Sequence, residues 1–458
     1  MRYLTVDIGS TYTKLVAIDA HRIEVLATSA SFTTISDDVT IGFNKALAIL
    51  EGKIGKFNYD RLLCCSSAAG GLKMVALGLV PSLTAKAARM AASSAGAKVV
   101  KTYSFEITEE EAREIERIAP DLVLLSGGTD GGNKEIIVSN ATKLAKLKGN
   151  FSIIIAGNKS ANDEITSVLK ESDKEWILTQ NVMPEFNKLN IEPAKECIRK
   201  LFIQRIVEAK GLSKIANMSG YDIIPTPLAV MQGCSLLSKG TEKQSGLGDL
   251  IAVDLGGATT DFYSMANGEP TAENMIFRGL PEPFEKRSVE GDLGMRYSIE
   301  SLIEECGIGY LTKEAGVSEK ALLAWKEKCI ANPDVIAVKG EESEKIENAL
   351  AKGAVKIAAE RHCGYIESVY TPMGQVFMIN GKDLSNIQLV IGIGGAIINS
   401  PDPAFILDGV KKGRTEFSYA KPINPSYKID AKYILSAMGL LAAHAPEAAL
   451  TIMKREIL

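Results

Sequence analysis

Two stretches of this chain carry residue types suited to gripping a metal-bound phosphate. TVDIGSTYTK (residues 5–14) and AVDLGGATTD (residues 252–261) each run from an apolar strand into an Asp, then small residues, then Thr and a charged residue. Asp7 aligns with Asp254, Gly9 with Gly256 and Thr13 with Thr260 at one offset, while Lys14 stands where the second copy has Asp261. Gly9, Ser10 and Thr11, and likewise Gly256, Gly257 and Ala258, can turn successive backbone N–H groups toward an anion. An Asp at the mouth of each cradle suits Mg²⁺, which dehydrates reluctantly and binds through water plus a carboxylate or two. The expectation is a metal held through water between Asp7 and Asp254. A lone D-x-G turn fits any β-hairpin, but a pair at one spacing points to a nucleoside triphosphate gripped from both sides.

Other small-residue motifs follow. IQLVIGIGGAII (387–398) is an apolar strand running into Gly392, Gly394 and Gly395. Glycines there let a purine and ribose lie flat on backbone, whereas a plain strand-to-helix turn needs only one of them. Ser66, Ser67, Gly70 and Gly71 form a loop that either touches a ligand or lets a helix pack closely. SGGTDGGN (126–133) stands where strand meets helix, the usual ligand position in parallel sheets, yet Asp130 argues against a phosphate loop. It suits a partner or switch surface, or a tight turn, and AGNK (156–159) repeats the arrangement. Asp19-Ala20-His21 begins the D-x-H-x-x-G pattern of cobalt-binding histidines, but Glu24 replaces the glycine, so a hairpin turn is expected. Glu290, Asp292 and Arg296, in the loop LPEPFEKRSVEGDLGMR, read as charges on a solvated loop.

Periodicity supplies the elements that would position these residues. Strands are expected at 2–8, 13–19 and 23–28, a helix at 38–51 and a buried strand at 61–66. An Ala-rich helix at 82–96 opens an α/β rhythm, with strands at 98–105, 121–126 and 151–156 and helices at 108–119, 134–148 and 161–171. That alternation implies a small parallel sheet inserted after the first cradle. Helices are expected at 193–210, within 223–238, at 297–306, 318–331 and 343–364, and at 430–445. The small residues of 228–238 and of Ala437, Gly439, Ala442 and Ala443 suit two closely packed helices at a hinge. KGTEKQSGLGD (239–249) separates the halves, and a further strand lies near 271–278.

With 458 residues, 46% of them hydrophobic and 40 glycines, the chain has material for several α/β domains with real cores. A net charge of −4 gives no general attraction to nucleic acid or anionic membrane. Seven cysteines, at 64, 65, 197, 234, 306, 329 and 363, form no C-x-x-C, so buried reduced thiols are expected rather than zinc or a redox pair. No basic-then-apolar leader and no membrane-length apolar run occur, so a cytoplasmic location is expected.

Two phosphate hairpins, two small-residue connecting helices and a glycine-rich strand, in that order, resemble the actin, sugar kinase and 70-kDa heat-shock chaperone superfamily over residues 1–66 and 223–445. The whole chain is more closely similar to the glutamate mutase L component family, also called MutL or GlmL. That resemblance rests on MRYLTVDIGSTYTKLVAID, CCSSAAGGLKMVALGLV, LVLLSGGTDGGN, VDLGGATTDFYS, VEGDLGMRYS and IGIGGAII. The mismatch-repair protein of the same abbreviation belongs to another ATPase superfamily.

The resemblance implies an α/β, actin-like ATPase with two duplicated RNase H-like lobes and an inserted small α/β domain. The first lobe would comprise 1–80 and 211–245, the insert 81–210, and the second lobe 246–458 with a helical insertion at about 297–365. It implies ATP and Mg²⁺ as cofactors, with Asp7 and Asp254 as water-mediated metal partners and Lys14 reaching the phosphates. Gly256, Gly257, Ala258, Thr259 and Thr260 would clamp the β and γ groups, Gly394 and Gly395 would face adenosine, and Asp261 would orient water. The heat-shock chaperones have a Glu before the proline of the first connecting helix; here Thr226 or Ile224 stands there, so no catalytic base is assigned. The implied role is an ATP-driven reactivating chaperone of adenosylcobalamin-dependent mutase subunits, with a homodimer as one assembly. A small-molecule kinase of the same superfamily is the alternative. An iron–sulfur activator would need cysteines at a dimer seam, and a filament-forming relative would show ATP-dependent sedimentation.

Overall fold

A computed structural model describes residues 1–458 except 10, 35–37, 68–72, 208–211 and 373, and omits the side chains of 203 and 205–207. The chain divides into two units, Met1–Gly233 with Ser436–Ile452, and Cys234–Leu435 with Met453–Leu458. The boundaries at 233 and 435 fall inside the helices Thr226–Lys239 and Leu435–Ala442.

Each unit is built on a five-stranded sheet of the same plan. In the first unit Arg2–Ile8 is central, pairing antiparallel with Tyr12–Asp19, which pairs antiparallel with Glu24–Phe32. On its other side lie Arg61–Ser66 and then Ile224–Pro225, both parallel. The second unit repeats this around Leu250–Leu255, with Thr260–Met265 and Glu285–Glu290 antiparallel on one side and Leu389–Ile393 and Ser426–Ile429 parallel on the other. This duplicated order is the RNase H-like lobe pair expected of an actin-like α/β protein.

The central strands read as near-continuous apolar runs because both faces are covered. RYLTVDI and LIAVDL are buried along their interior except for one half-open residue near the C-terminal end, and in both that residue is the Asp. Ligands of α/β sheets bind beyond the carboxyl ends of such strands.

Inside the first unit lies a second, all-parallel sheet in the order Lys98–Ser104, Lys73–Gly78, Leu122–Leu125, Ser152–Ile155, Trp176–Leu178. Its core joins Val75, Leu77, Val123, Leu125, Ile153 and Ile155 to Ile137, Leu144 and Ile165 on the covering helices. The strand Lys73–Gly78 belongs to this sheet, so the insert begins before residue 81.

In the second unit the long helix Glu342–His362 buries Ala349, Ala351, Ala354 and Ala358 against the sheet. A Cβ at its Gly353 would stand 2.5 Å from the Cys306 sulfur, so glycine sets how closely the helix Ile299–Cys306 approaches. Helices Ile308–Ala315 and Glu319–Ala331 complete this helical region. A separate three-stranded sheet of Met275–Phe277, Gly374–Asn380 and Tyr365–Thr371 is exposed or half-buried except at Ile379.

Candidate functional site

The two hairpins close with the same bond. Gly9 N–H donates to the Tyr12 carbonyl and Gly256 N–H to the Thr259 carbonyl, each at 3.0 Å. A Cβ on Gly9 would lie 2.7 Å from the Tyr12 oxygen and one on Gly256 3.2 Å from the Thr259 oxygen, so glycine gives each turn its tightness. Ser10 lies outside the described residues, while Thr11 is exposed and its carbonyl accepts from Thr33 N–H at 2.8 Å.

Asp7 sits directly opposite Lys14 in the strand register. Its Oδ1 accepts from Thr226 Oγ1 at 2.7 Å and its Oδ2 from Ser436 Oγ at 3.4 Å. Of these two hydroxyls, each in the first turn of one connecting helix, the sequence marks only that of Thr226, as a Thr directly before a helix-opening Pro. Thr226 acts there as a donor to Asp7 rather than as a base. The two helices do pack closely: a Cβ on Gly439 would overlap the Ala229 carbonyl oxygen at 1.8 Å.

Asp254 sits opposite Asp261, and directly opposed like charges destabilise a strand pair. Arg287 relieves this, its Nε at 2.7 Å and Nη2 at 2.6 Å from Asp261 Oδ1. Burial opposes the Arg287 charge, but Asp261 and Tyr263 together outweigh it and hold the guanidinium above its ordinary value. Thr259 Oγ1 donates to the other Asp261 oxygen at 3.3 Å.

The loop 291–298 forms a brace behind the second cradle. Met295 N–H donates to the Gly256 carbonyl at 3.1 Å, Arg296 N–H to Gly257 at 2.8 Å and Tyr297 N–H to Gly257 at 3.0 Å. Ser298 Oγ donates to the Ala258 carbonyl at 3.2 Å. The exposed cradle amides of Gly257 and Ala258 donate to no other described residue. The expectation of a solvated charged loop is corrected here. Glu290 is buried and paired with Arg361 at 2.9 Å, which also holds Asp292 at 2.8 Å, and Arg296 pairs with Glu347 at 2.9 Å.

Not every residue of the motifs faces a ligand. Thr13 and Thr260 are fully buried, their hydroxyls bonded to Thr33 Oγ1 at 3.0 Å and to the Leu293 carbonyl at 2.7 Å. Any part they take in holding phosphate falls to their backbone. Gly392 faces inward, where a Cβ would meet Ile397 at 2.7 Å and Leu407 at 3.0 Å, so it is a packing glycine. Gly394, with φ of +92°, lies over the end of the central strand, where a Cβ would stand 2.3 Å from the Leu255 carbonyl and 3.0 Å from Asp254 Oδ1. Gly395 has room, since a Cβ there would stand 3.5 Å from both Asn399 and the Tyr433 hydroxyl. In the first unit the strand Arg61–Ser66 occupies the matching place, and Ser66 Oγ and Ser67 N–H both donate to the Ile8 carbonyl. Gly70 and Gly71 lie outside the described residues.

The family model described as MutL protein matches residues 3–457. A curated relative, "Protein MutL" of Clostridium tetanomorphum, is 47% identical over 99% of this chain and 98% of its own length. The chain belongs to the MutL family. Among solved structures, the activator of the 2-hydroxyisocaproyl-CoA dehydratase from Clostridium difficile with bound ADPNP is 11% identical with a TM-score of 0.30, covering 99% of this chain and 98% of that one. Xylulose kinase from Lactobacillus acidophilus is 10% identical with a TM-score of 0.35, covering 100% of this chain and 92% of that one.

Two remaining motifs take structural readings. Asn158, fully buried, accepts from the amides of Gly131 and Ser160 and donates to the carbonyls of Gly132 and Asn133, fixing the 126–133 loop from within. Asp130 accepts from Lys159 N–H and Asn181 Nδ2. Asp19 Oδ1 accepts from the amides of His21 and Arg22, which makes the D-x-H segment a hairpin turn. The cysteines are free, and burial pushes Cys64 up to about 12 and Cys329 to about 11, which keeps those thiols protonated at neutral pH. No described helix is long and apolar enough to cross a membrane.

Proposed function

We propose that this chain is an ATP-binding, Mg²⁺-dependent ATPase that serves as accessory or reactivating chaperone of an adenosylcobalamin-dependent mutase of the glutamate mutase or aminomutase type. The observation that carries the reading is the duplicated hairpin: in both units an Asp takes the half-open position near the end of a buried central strand, two residues before a turn-closing glycine. The MutL family name supports the mutase link. The reading places the protein in the cytoplasm, acting on mutase subunits rather than on nucleic acid or membrane.

The residues fit a metal triphosphate. Amides of Gly257 and Ala258 are available for phosphate oxygens, and Asp7 keeps acceptor capacity beyond its two hydroxyl donors. Asp7 and Asp254 would hold Mg²⁺ through water, the metal neutralising charge on the β and γ oxygens. Lys14 would add a counter-charge, and Gly394 and Gly395 would flank adenosine. Asp261 can orient water only through Oδ2, because Arg287 takes Oδ1. With Thr226 in place of a carboxylate base, hydrolysis by the isolated chain should be slow.

Calorimetric titration with ATP·Mg²⁺ tests this. Asp7→Ala and Asp254→Ala should each abolish Mg²⁺-dependent binding, and unchanged affinity in either contradicts the assignment. Added to a mutase inactivated by damaged cobalamin, the protein should restore turnover only with ATP. Metabolite-stimulated ATP consumption that yields a phosphorylated product would favour the small-molecule kinase instead.

A further inference from the structure

The brace behind the second cradle does more than fill space. A trans peptide unit is planar, with its C=O and N–H pointing in opposite directions. The carbonyls of Gly256, Gly257 and Ala258 are all held by the brace. The N–H groups on those same three planes, belonging to Gly257, Ala258 and Thr259, are therefore turned away from it. Whatever sets the brace sets the direction of three donors at once.

The brace has little freedom of its own. A Cβ on Gly294 would lie 2.3 Å from the Ala258 carbonyl carbon, so brace and cradle are in direct backbone contact. Its position is fixed by the Arg296 guanidinium, whose Nη1 reaches both Glu347 oxygens at 2.9 and 3.1 Å and whose Nη2 donates to the Val335 carbonyl at 3.1 Å. Trp325 Nε1 donates to the same Glu347 at 2.7 Å. Arg296 and Glu347 are mostly shielded from water, at 17% and 15% side-chain exposure, which strengthens this arrangement. The other end of the brace is tied to the same long helix, since Arg361 holds Glu290, Asp292 and Glu305.

We propose that Arg296, Glu347 and Trp325 form a positioning relay that aims the anion-facing amides of the second cradle, so that the indole of Trp325 reports a terminal phosphate bound there. The inference rests on the nucleotide reading above and deepens it. Preorganised donors bind best when their supporting groups are locked, so loosening the relay weakens the ligand that uses those amides most. ATP, with its γ-phosphate, should suffer more than ADP.

The chain has two tryptophans, so Trp176→Phe leaves Trp325 as the sole indole emitter. In that background, emission is followed during titration with ATP·Mg²⁺ and with ADP·Mg²⁺, alongside calorimetry. ATP should shift the emission more than ADP does. Glu347→Ala should weaken ATP about tenfold more than ADP and remove the shift, a loss of the size expected for a charge-assisted hydrogen bond. Glu347→Gln, which keeps an acceptor for the indole, should fall between. Arg296→Lys, judged by the same ATP-to-ADP ratio, carries the test if Glu347→Ala does not fold. ATP binding by calorimetry without an emission change, or equal weakening of ATP and ADP, overturns the relay and leaves the nucleotide reading standing. No ATP binding by the unsubstituted chain overturns both.

Discussion

Across the first hairpin a carboxylate faces an ammonium, Asp7 opposite Lys14; across the second it faces another carboxylate, Asp254 opposite Asp261. The first is adjusted by two neutral hydroxyls, Thr226 and Ser436. The second needs a buried arginine from the neighbouring strand and a braced loop behind it. The contrast extends along the strands: at the offset that pairs Asp7 with Asp254, Ala17 corresponds to Ser264, which joins a buried polar group with His362, Ser288 and Lys382. Duplication has preserved the backbone plan and let the charges diverge, so the second site is the one whose geometry depends on ion pairs.

The largest consequence should follow from removing Arg287. Arg287→Met leaves Asp261 enclosed beside Asp254 without its counter-ion, and breaking a buried pair on one side costs about 3–5 kcal/mol. Lys14→Met in the half-exposed first hairpin should cost under about 1 kcal/mol. Urea unfolding of both variants measures the difference, and adding Asp261→Asn to Arg287→Met should recover much of the loss. Equal midpoints for the two single variants would break the comparison.

Lys382 gives the second unit a pH dependence of its own. Its ammonium donates to the carbonyls of Ala266 at 2.6 Å and Phe284 at 2.8 Å, yet burial, reinforced by the nearby Lys286, pulls its pKa down to about 7. Above that value the folded chain has released a proton that the unfolded chain keeps until the ordinary lysine range. Stability therefore rises with pH through this window, by about 1 kcal/mol per pH unit, and the full penalty is present below it. Melting temperatures at neutral and mildly alkaline pH should show the rise in the natural chain. A Lys382→Met variant with the same slope would refute the assignment.

Next in size is Gly294→Ala, whose methyl must displace the brace from the Ala258 carbonyl at a cost of about 1–2 kcal/mol. It should also weaken ATP, because the three cradle amides move with the brace. Gly9→Ala also meets a backbone oxygen, but the clash stays within its own turn. ATP affinity surviving Gly294→Ala unchanged would separate brace from binding.

The sequence made legible what periodicity and spacing encode. The apolar strands Arg61–Ser66 and Leu250–Leu255, the insert's helices and both Asp-Gly turns stand where the pattern placed them. Glu285–Glu290 did not, because EKRSVE carries no apolar alternation: its buried positions are filled by Arg287, Ser288 and Glu290, satisfied by partners far along the chain. The same reason hid the brace, whose charges read as solvated until Glu347 and Arg361 supplied counter-charges from a helix dozens of residues away. Gly392 misled in the opposite sense, since a glycine emptied for a core side chain looks in sequence like one emptied for a ligand.

The smallest effect tests the first hairpin alone. Thr226 and Ser436 both donate to Asp7, but at 2.7 and 3.4 Å, and hydrogen bonding to a carboxylate weakens steeply with such lengthening. Thr226→Val keeps the shape of the side chain and loses the shorter bond, so it should weaken Mg²⁺-dependent ATP binding by about 1 kcal/mol, roughly fivefold. Ser436→Ala should weaken it less. Because neither hydroxyl carries charge, neither effect should change with ionic strength. If Ser436→Ala proved the more damaging, the oxygen of Asp7 that matters would be Oδ2, and the metal-facing side of the first hairpin would have to be reassigned.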